Sequence, residues 1–458
     1  MPDAWNSDLR QPPLLLGNSG YHGTLAAARA LGRRGVPVCV ADESVLGPAR
    51  WSAHVARALR CPAMSDGERY LEWLLQFGRD APGTVLYPTS DDATYLHALR
   101  LEDLSRVFRM YQPGVDVMMR LLDKKLLYDG AREFGLDVPE TWFPESEGEL
   151  LALARTIEMP VLVKPRTQIL SRARSKGAVV TRRENLLACY RACVRRSHYG
   201  DLLVERFPET TLPLVQRYYP EAMDGIYEVS SFVDRSGALF AARASRKVLQ
   251  QPRTLGIGLC FEHAPLDEIL AEAVRRLAMG CGYFGVVQFE FIEVGDRRLL
   301  IDCNPRLYNQ LAFDLARGLP LPEMVYAAAQ SDVAELARLV AAAAQDPGPT
   351  AERTVFCNRF GVGLMVAAQR LSGRMSASEA RHWRSWILTH PNECVDPTFA
   401  PDDALPAIMG ALSQLVQHVR HPRAFVNQIV LNGRRSGRPP GMRRARGETA
   451  RGARVYNI

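Results

Sequence analysis

The stretch Phe284–Gln310, FGVVQFEFIEVGDRRLLIDCNPRLYNQ, decides how the rest of the chain is read. Two β-rich runs, Val286–Ile292 and Arg298–Ile301, flank Val294-Gly295-Asp296-Arg297, a spacing that predicts a β-hairpin. Folding the hairpin about Asp296 sets Glu290 opposite Asp302, with Cβ atoms about 5 Å apart. Asn304 lies two residues further on and shares that face. Two carboxylates and an amide oxygen converging at the end of a sheet suit a hard cation such as Mg²⁺ that also holds phosphates. Without a cation the facing acids would repel. An ordinary hairpin with outward acids and a turn proline is the competing explanation.

The pattern FEF, a twelve-residue step to an acid, then x-Asn-Pro-Arg resembles the metal-binding hairpin of the ATP-grasp ligases. The resemblance implies that Glu290, Asp302 and Asn304 are ligands of Mg²⁺ or Mn²⁺ and that Arg306 contacts a phosphate or acyl phosphate. The family usually carries Glu where Asp302 stands, one methylene longer.

Composition sets the frame. A chain of 458 residues is too long for one core, and two to four structural units are expected. With 47% hydrophobic and 23% charged residues it reads as a folded, soluble protein. Its 9 cysteines form no C-x-x-C pair, which fits a reducing, cytoplasmic setting. The opening MPDAWNSDLRQPP has no long apolar core and is not a secretory signal, and no run of about eighteen apolar residues suggests a membrane span. The net charge of +7 arises in the tail: Gly433–Ile458 holds eight Arg and one Glu, so the remainder is neutral and nothing marks the body as a nucleic-acid binder.

Residues 14–42 read strand, turn, helix, strand, and Val85–Pro88 adds a buried strand, which predicts a Rossmann-like N-terminal domain over 1–113. Gly17, Gly20 and Gly23 follow G-x-x-G-x-x-G and not the dinucleotide-binding G-x-G-x-x-G, so tight-turn roles are the better explanation. In ATP-grasp enzymes this leading domain frames the acceptor side of the cleft, which makes Asn18, Ser19, Asp91 and Asp92 substrate-contact candidates, with helix caps and loop polarity as the alternative.

Residues 114–325 are expected to form the ATP-grasp domain of two α+β subdomains. Lys124, in a helical stretch over 114–135, is similar to the family's first ATP-contacting lysine, with Lys125 its close competitor. Val161-Leu-Val-Lys164-Pro165 ends a buried apolar strand on a lysine whose desolvated stem calls for an anion, and it resembles the family's V-x-K-P strand. The segment that follows stands where the family has a glycine-rich phosphate flap. It holds only Gly177, with Arg166, Arg172, Arg174 and Lys176 around it. Two runs, LLVERFPE at 202–209 and PLVQRYYPE at 213–221, resemble the adenine hinge; Gln216, Arg217, Tyr218 and Tyr219 fit better, and Glu205 is the alternative. On the next strand pair, Tyr227–Phe232 and Ala238–Ser245, Arg243 and Lys247 alternate onto one face, where cations would meet a transferring phosphoryl group.

Residues 326–432 read as mostly helical, with Trp383 and Trp386 in the core, and are similar to the accessory region of D-aspartate-ligase-like proteins. The tail 433–458 is expected to be disordered and is a candidate for an anionic partner, RNA or lipid. The resemblance implies an α/β (α+β) fold and an ATP-dependent ligase. Such an enzyme phosphorylates a small-molecule carboxylate and couples it to an amine, forming an amide bond and releasing ADP and phosphate; a homodimer is among its expected states. The competing readings are a carboxylase or carbamoyl-phosphate-type enzyme, for which neither a biotin-carrier lysine motif nor a second copy is visible, and a non-catalytic nucleotide-binding protein.

Overall fold

A computed structural model describes residues 11–171, 175–223, 225–252, 255–345, 348–390, 393–422, 426 and 453–457. The first unit is a parallel sheet in the order β3-β2-β1-β4-β5, from strands β1 (Leu14–Leu16), β2 (Val38–Asp42), β3 (Arg57–Arg60), β4 (Val85–Leu86) and β5 (Arg109–Met110). Leu14, Leu15 and Leu16 are all buried, the continuous apolar run expected of a parallel strand covered on both faces. Helix His22–Gly32 packs there, and Gly23 shows why its turn is glycine-rich. A Cβ at Gly23 would lie 2.2 Å from the Tyr308 carbonyl oxygen, so this glycine lets the helix touch the loop after the candidate metal hairpin. Asp42, which ends β2, fixes the same turn: its carboxylate accepts the Ser19 backbone N–H and hydroxyl at 2.5 and 2.6 Å.

Two further sheets enclose the cleft. One has the order β17-β8-β7-β9-β6, built from β6 (Thr141–Trp142), β7 (Val161–Lys164), β8 (Ser175–Val180), β9 (Leu214–Arg217) and β17 (Ala453–Asn457). The other has seven strands in the order β14-β13-β10-β11-β12-β15-β16: β10 (Ile226–Val233), β11 (Phe240–Gln251), β12 (Ile257–Ala264), β13 (Gly285–Val294), β14 (Arg297–Asn304), β15 (Val355–Cys357) and β16 (Cys394–Val395). The α/β class and the strand-rich central region are as expected from the sequence.

Several elements differ from expectation. The helical stretch over 114–135 is two helices, Val115–Leu122 and Lys124–Glu133, broken at Asp123. Asp123 turns its carboxylate back to accept the Lys125 and Leu126 N–H groups, an N-cap that starts the second helix and ends the first. The run 202–209 is not a strand but the short helix Asp201–Val204 and a 3-10 turn. The region 326–432 carries the expected helices, and it also adds β15 and β16 to the central sheet, with Cys357 paired to Cys260. The expected disorder of 433–458 falls largely on residues outside those described. Ala453–Asn457, however, is a strand: its backbone pairs antiparallel with β8 and covers an otherwise open sheet edge. The C-terminal region also returns to the first unit, where Arg29 and Asp403, both almost fully buried, form an ion pair at 2.8 Å.

Candidate active site

The hairpin β13–β14 turns at Gly295-Asp296, with Val294 paired to Arg297. In an unbroken ladder this register would bring Glu290 opposite Ile301. A bulge next to Glu290 shifts the pairing by one residue, so Glu290 faces Asp302 and Gln288 faces Asn304. On the other side of β13, Glu290 pairs with Glu228 of β10. Three carboxylates, Glu228, Glu290 and Asp302, therefore run in a row across three adjacent strands at the floor of a cleft of about 1000 Å³.

Lysines meet this row. Lys124, the first residue of its helix, holds Asp302 at 2.7 Å, and Lys247 bridges Glu290 at 2.7 Å and Glu228 at 3.2 Å. Burial works against charge on both lysines, but the facing acids win and hold each pKa above the ordinary lysine value. Burial alone would raise Asp302; the Lys124 ammonium, with Lys164 and Lys176 behind it, brings it below the usual carboxylate range. Glu228 is different, since burial outweighs Lys247 and pushes its carboxyl up to about 8. Lys164 and Lys176 also line the cleft, and no carboxylate pairs with either among the described residues. Burial, with Lys124 adding to it, drops Lys164 to about 7, and burial with Lys247 lowers Lys176. A cleft with surplus lysines at one side and an acidic row at the other is built for a polyanion held together with a hard cation. The donor set fits Mg²⁺: Glu290 and Asp302 supply carboxylate oxygens, and Asn304 supplies an amide oxygen that now accepts Arg306 Nη2–H at 2.8 Å.

The structure brings most sequence-predicted residues to the cleft. Lys124, Lys164, Gln216, Arg217, Tyr218, Tyr219, Lys247, Glu290, Asp302, Asn304 and Arg306 all line it, as do Asn18, Asp91 and Asp92. Arg306 is buried and donates to Asp91 at 2.6 Å, which ties the hairpin to the first unit. Gly177 is not in the lining but is placed by it: at φ +129° a Cβ would come within 2.7 Å of Lys164 Cβ, so β8 crosses directly over that lysine. Lys125 turns outward to Asp129, and Glu205 caps a helix outside the cleft, which leaves Lys124 and the 216–219 segment as the cleft residues of each pair. Gln216 directs its side-chain amide to Thr141 and Tyr128 rather than into the cavity.

Two expectations are corrected. Arg243 does not line the cleft; its guanidinium donates to the carbonyls of Arg317, Ala242 and Gln345, because it stands four residues along β11 from Lys247, beyond the floor. Arg166 is no flap cation either, since it is buried against Asp123 at 2.9 Å and its carbonyl accepts the Lys124 N–H, so it fixes the start of the Lys124 helix. Arg172 and Arg174 lie outside the described residues. Sequence reasoning passed over Glu228, although it is the one carboxyl-bearing residue of a strand, IYEVSSFV, that is buried at every position, a signal that it needed a partner.

No family model matches the chain. The carbamoyl phosphate synthase large chain of Rubrobacter xylanophilus is 25% identical over 198 residues, which is 42% of this chain and 17% of the relative. That of Methanosarcina acetivorans is 23% identical over 212 residues, 44% of this chain and 18% of the relative. The chain thus spans under a fifth of the length of these curated relatives. Among solved structures, biotin carboxylase from Campylobacter jejuni superposes with a TM-score of 0.55 at 17% identity, over 69% of this chain and 70% of that one. The L-amino acid ligase from Bacillus licheniformis superposes with a TM-score of 0.52 at 14% identity, over 71% and 77%. With the sheet order, the hairpin register and the lysine-lined cleft, these likenesses show that the chain has the ATP-grasp fold.

Proposed function

We propose that the protein is an ATP-dependent, ADP-forming carboxylate–amine ligase. The observation that supports this reading is the pairing of an acidic row, Glu228-Glu290-Asp302, with four cleft lysines, of which two have no carboxylate partner among the described residues. Lys164 and Lys176 hold phosphate oxygens, and Gly177 keeps β8 low over them. The segment Gln216–Tyr219 borders the adenine, with backbone groups reading its edge. Glu290, Asp302 and Asn304 would hold Mg²⁺ or Mn²⁺, which would supply neutralisation of phosphate charge. Lys247, held by the Glu290 carboxylate and beside Glu228, is directed at the transferring phosphoryl group, and Arg306, fixed by Asp91 and Asn304, meets the acyl phosphate. The amine then displaces phosphate. Asn18, Asp91 and Asp92 frame the small-molecule carboxylate and amine from the first unit.

A reducing, cytoplasmic setting belongs to the same proposal and is supported by nine thiols unlinked by disulfides; no helix among the described residues is long and apolar enough to cross a membrane. The test is to supply ATP, Mg²⁺ and a panel of amino acids and other small carboxylates, with hydroxylamine in place of the amine. Hydroxamate should accumulate in step with ADP. AMP and pyrophosphate as products would overturn the reading, and ADP release that needs bicarbonate and yields no hydroxamate would replace the ligase with a carboxylase.

A further inference from the structure

The helix Leu405–Arg420 exposes a line of large apolar residues that nothing in the proposed ligase chemistry uses. Leu405, Ile408, Leu412, Leu415 and Val419 are each between 43% and 73% exposed. Their spacing is three, four, three, four, the alternation that keeps a seam on one side of a helix and against a neighbouring helix. The opposite side is already seated. Pro406 and Gly410 are buried, and a Cβ at Gly410 would meet Thr398 at 3.6 Å and Pro48 at 3.7 Å, so the helix lies with its back on the 3-10 turn Pro48–Trp51. The seam therefore faces away from the described residues of its own chain.

We propose that this seam is a two-fold interface with the same helix of a second copy. Three observations select that occupant. Leu412 is the central residue of the five, so in a two-fold pair, parallel or antiparallel, it meets its own counterpart and the remaining residues match in order. From Leu405 to Val419 the helix carries no Asp, Glu, Lys or Arg, so two copies approach without like-charge repulsion. Taking about 150–180 Å² per aliphatic residue, the exposed fractions amount to roughly 500 Å² per copy, and a pair would bury about 1,000 Å², the lower bound for a specific interface. A lipid surface fits less well, because a helix lying on a membrane presents a basic polar face to the headgroups, and here that face is packed on the chain itself. The interface reaches the cleft, since Gln414 and His418 of the same helix stand in its wall.

The test uses the full chain in sedimentation velocity at micromolar concentration. The unsubstituted protein should sediment as two chains. Leu412→Glu and Leu412→Lys should each sediment as one chain with unchanged circular dichroism, and mixing the two should restore the two-chain species, because the opposed charges then meet at the axis. A single chain for the unsubstituted protein at all concentrations would overturn the proposal. So would a dimer indifferent to both substitutions, or co-flotation with phosphatidylcholine–phosphatidylserine vesicles that Leu412→Glu abolishes.

Discussion

Nucleotide binding should draw a proton from solution, and Lys164 is the group that takes it. Its ammonium ends β7 in the cleft with no carboxylate beside it among the described residues, and burial with the nearby Lys124 brings it to about 7. A bound phosphate chain supplies the missing anion and returns the group to the charged state. With a free-protein midpoint at 7 and a bound midpoint well above 9, about 0.9 proton is taken up per nucleotide at pH 8, and affinity falls about fifty-fold between pH 7 and 9. The sign for stability follows from the same shift. The unfolded chain keeps this proton up to its ordinary lysine value, whereas the folded one releases it near 7, so the ligand-free protein gains stability from this group as pH rises above 7. Calorimetric titration with MgADP at pH 8 in buffers of different ionisation enthalpy reads the uptake directly, since the apparent enthalpy should change in proportion to the buffer's own. Lys164→Arg, charged throughout, should reduce the uptake. An affinity flat from pH 7 to 9, or an uptake undiminished in Lys164→Arg, would refute the assignment.

Glu290→Gln and Asp302→Asn should each lower turnover at least about a hundred-fold while the circular dichroism spectrum stays unchanged, since each removes a charge from an oxygen site suited to Mg²⁺; near-normal steady-state rates in both would remove the metal assignment. Lys247→Met should cost a similar factor in kcat, whereas Arg243→Gln, whose guanidinium donates to backbone carbonyls of Arg317 and Gln345 away from the cleft lining, should stay within a few-fold of the parent, and equal losses in the two would show that the cleft floor extends further along β11 than described. Gly177→Ala places a methyl 2.7 Å from Lys164 and forces a positive φ on alanine; it should cost about 2 kcal/mol in denaturant unfolding and weaken nucleotide affinity with it. Arg29→Met strands the buried Asp403 carboxylate and should destabilise by about 3 kcal/mol, visible as a lower thermal midpoint with the cleft chemistry unaltered.

The candidate site was readable where spacing along one element carries the information. Strand alternation put Asp302 and Asn304 on one face of β14, a hairpin folded about Asp296 set Glu290 opposite Asp302, and a lysine closing the apolar run 161–164 announced a buried cation. The helices over 333–343, 359–371 and 405–420 declare themselves by their period in the same way. Other features depended on pairing between residues far apart. A bulge next to Glu290 decides that Asp302 and not Ile301 stands opposite it, and nothing local marks where the ladder slips. Asp123 breaks a continuous helical pattern because its carboxylate both caps a helix and meets Arg166, forty-three residues away. Strands of three and two residues, β15 and β16, are too short to show a period, so a region that reads as helical also extends the central sheet. Arg243 and Lys247 alternate onto one face in sequence, yet only the lysine reaches the cleft floor, because a strand rises about 3.3 Å per residue and four residues carry the arginine past its edge. Sequence determines which side of an element a residue occupies; which elements meet, and at what height, is decided by burial and hydrogen-bond pairing across the whole fold.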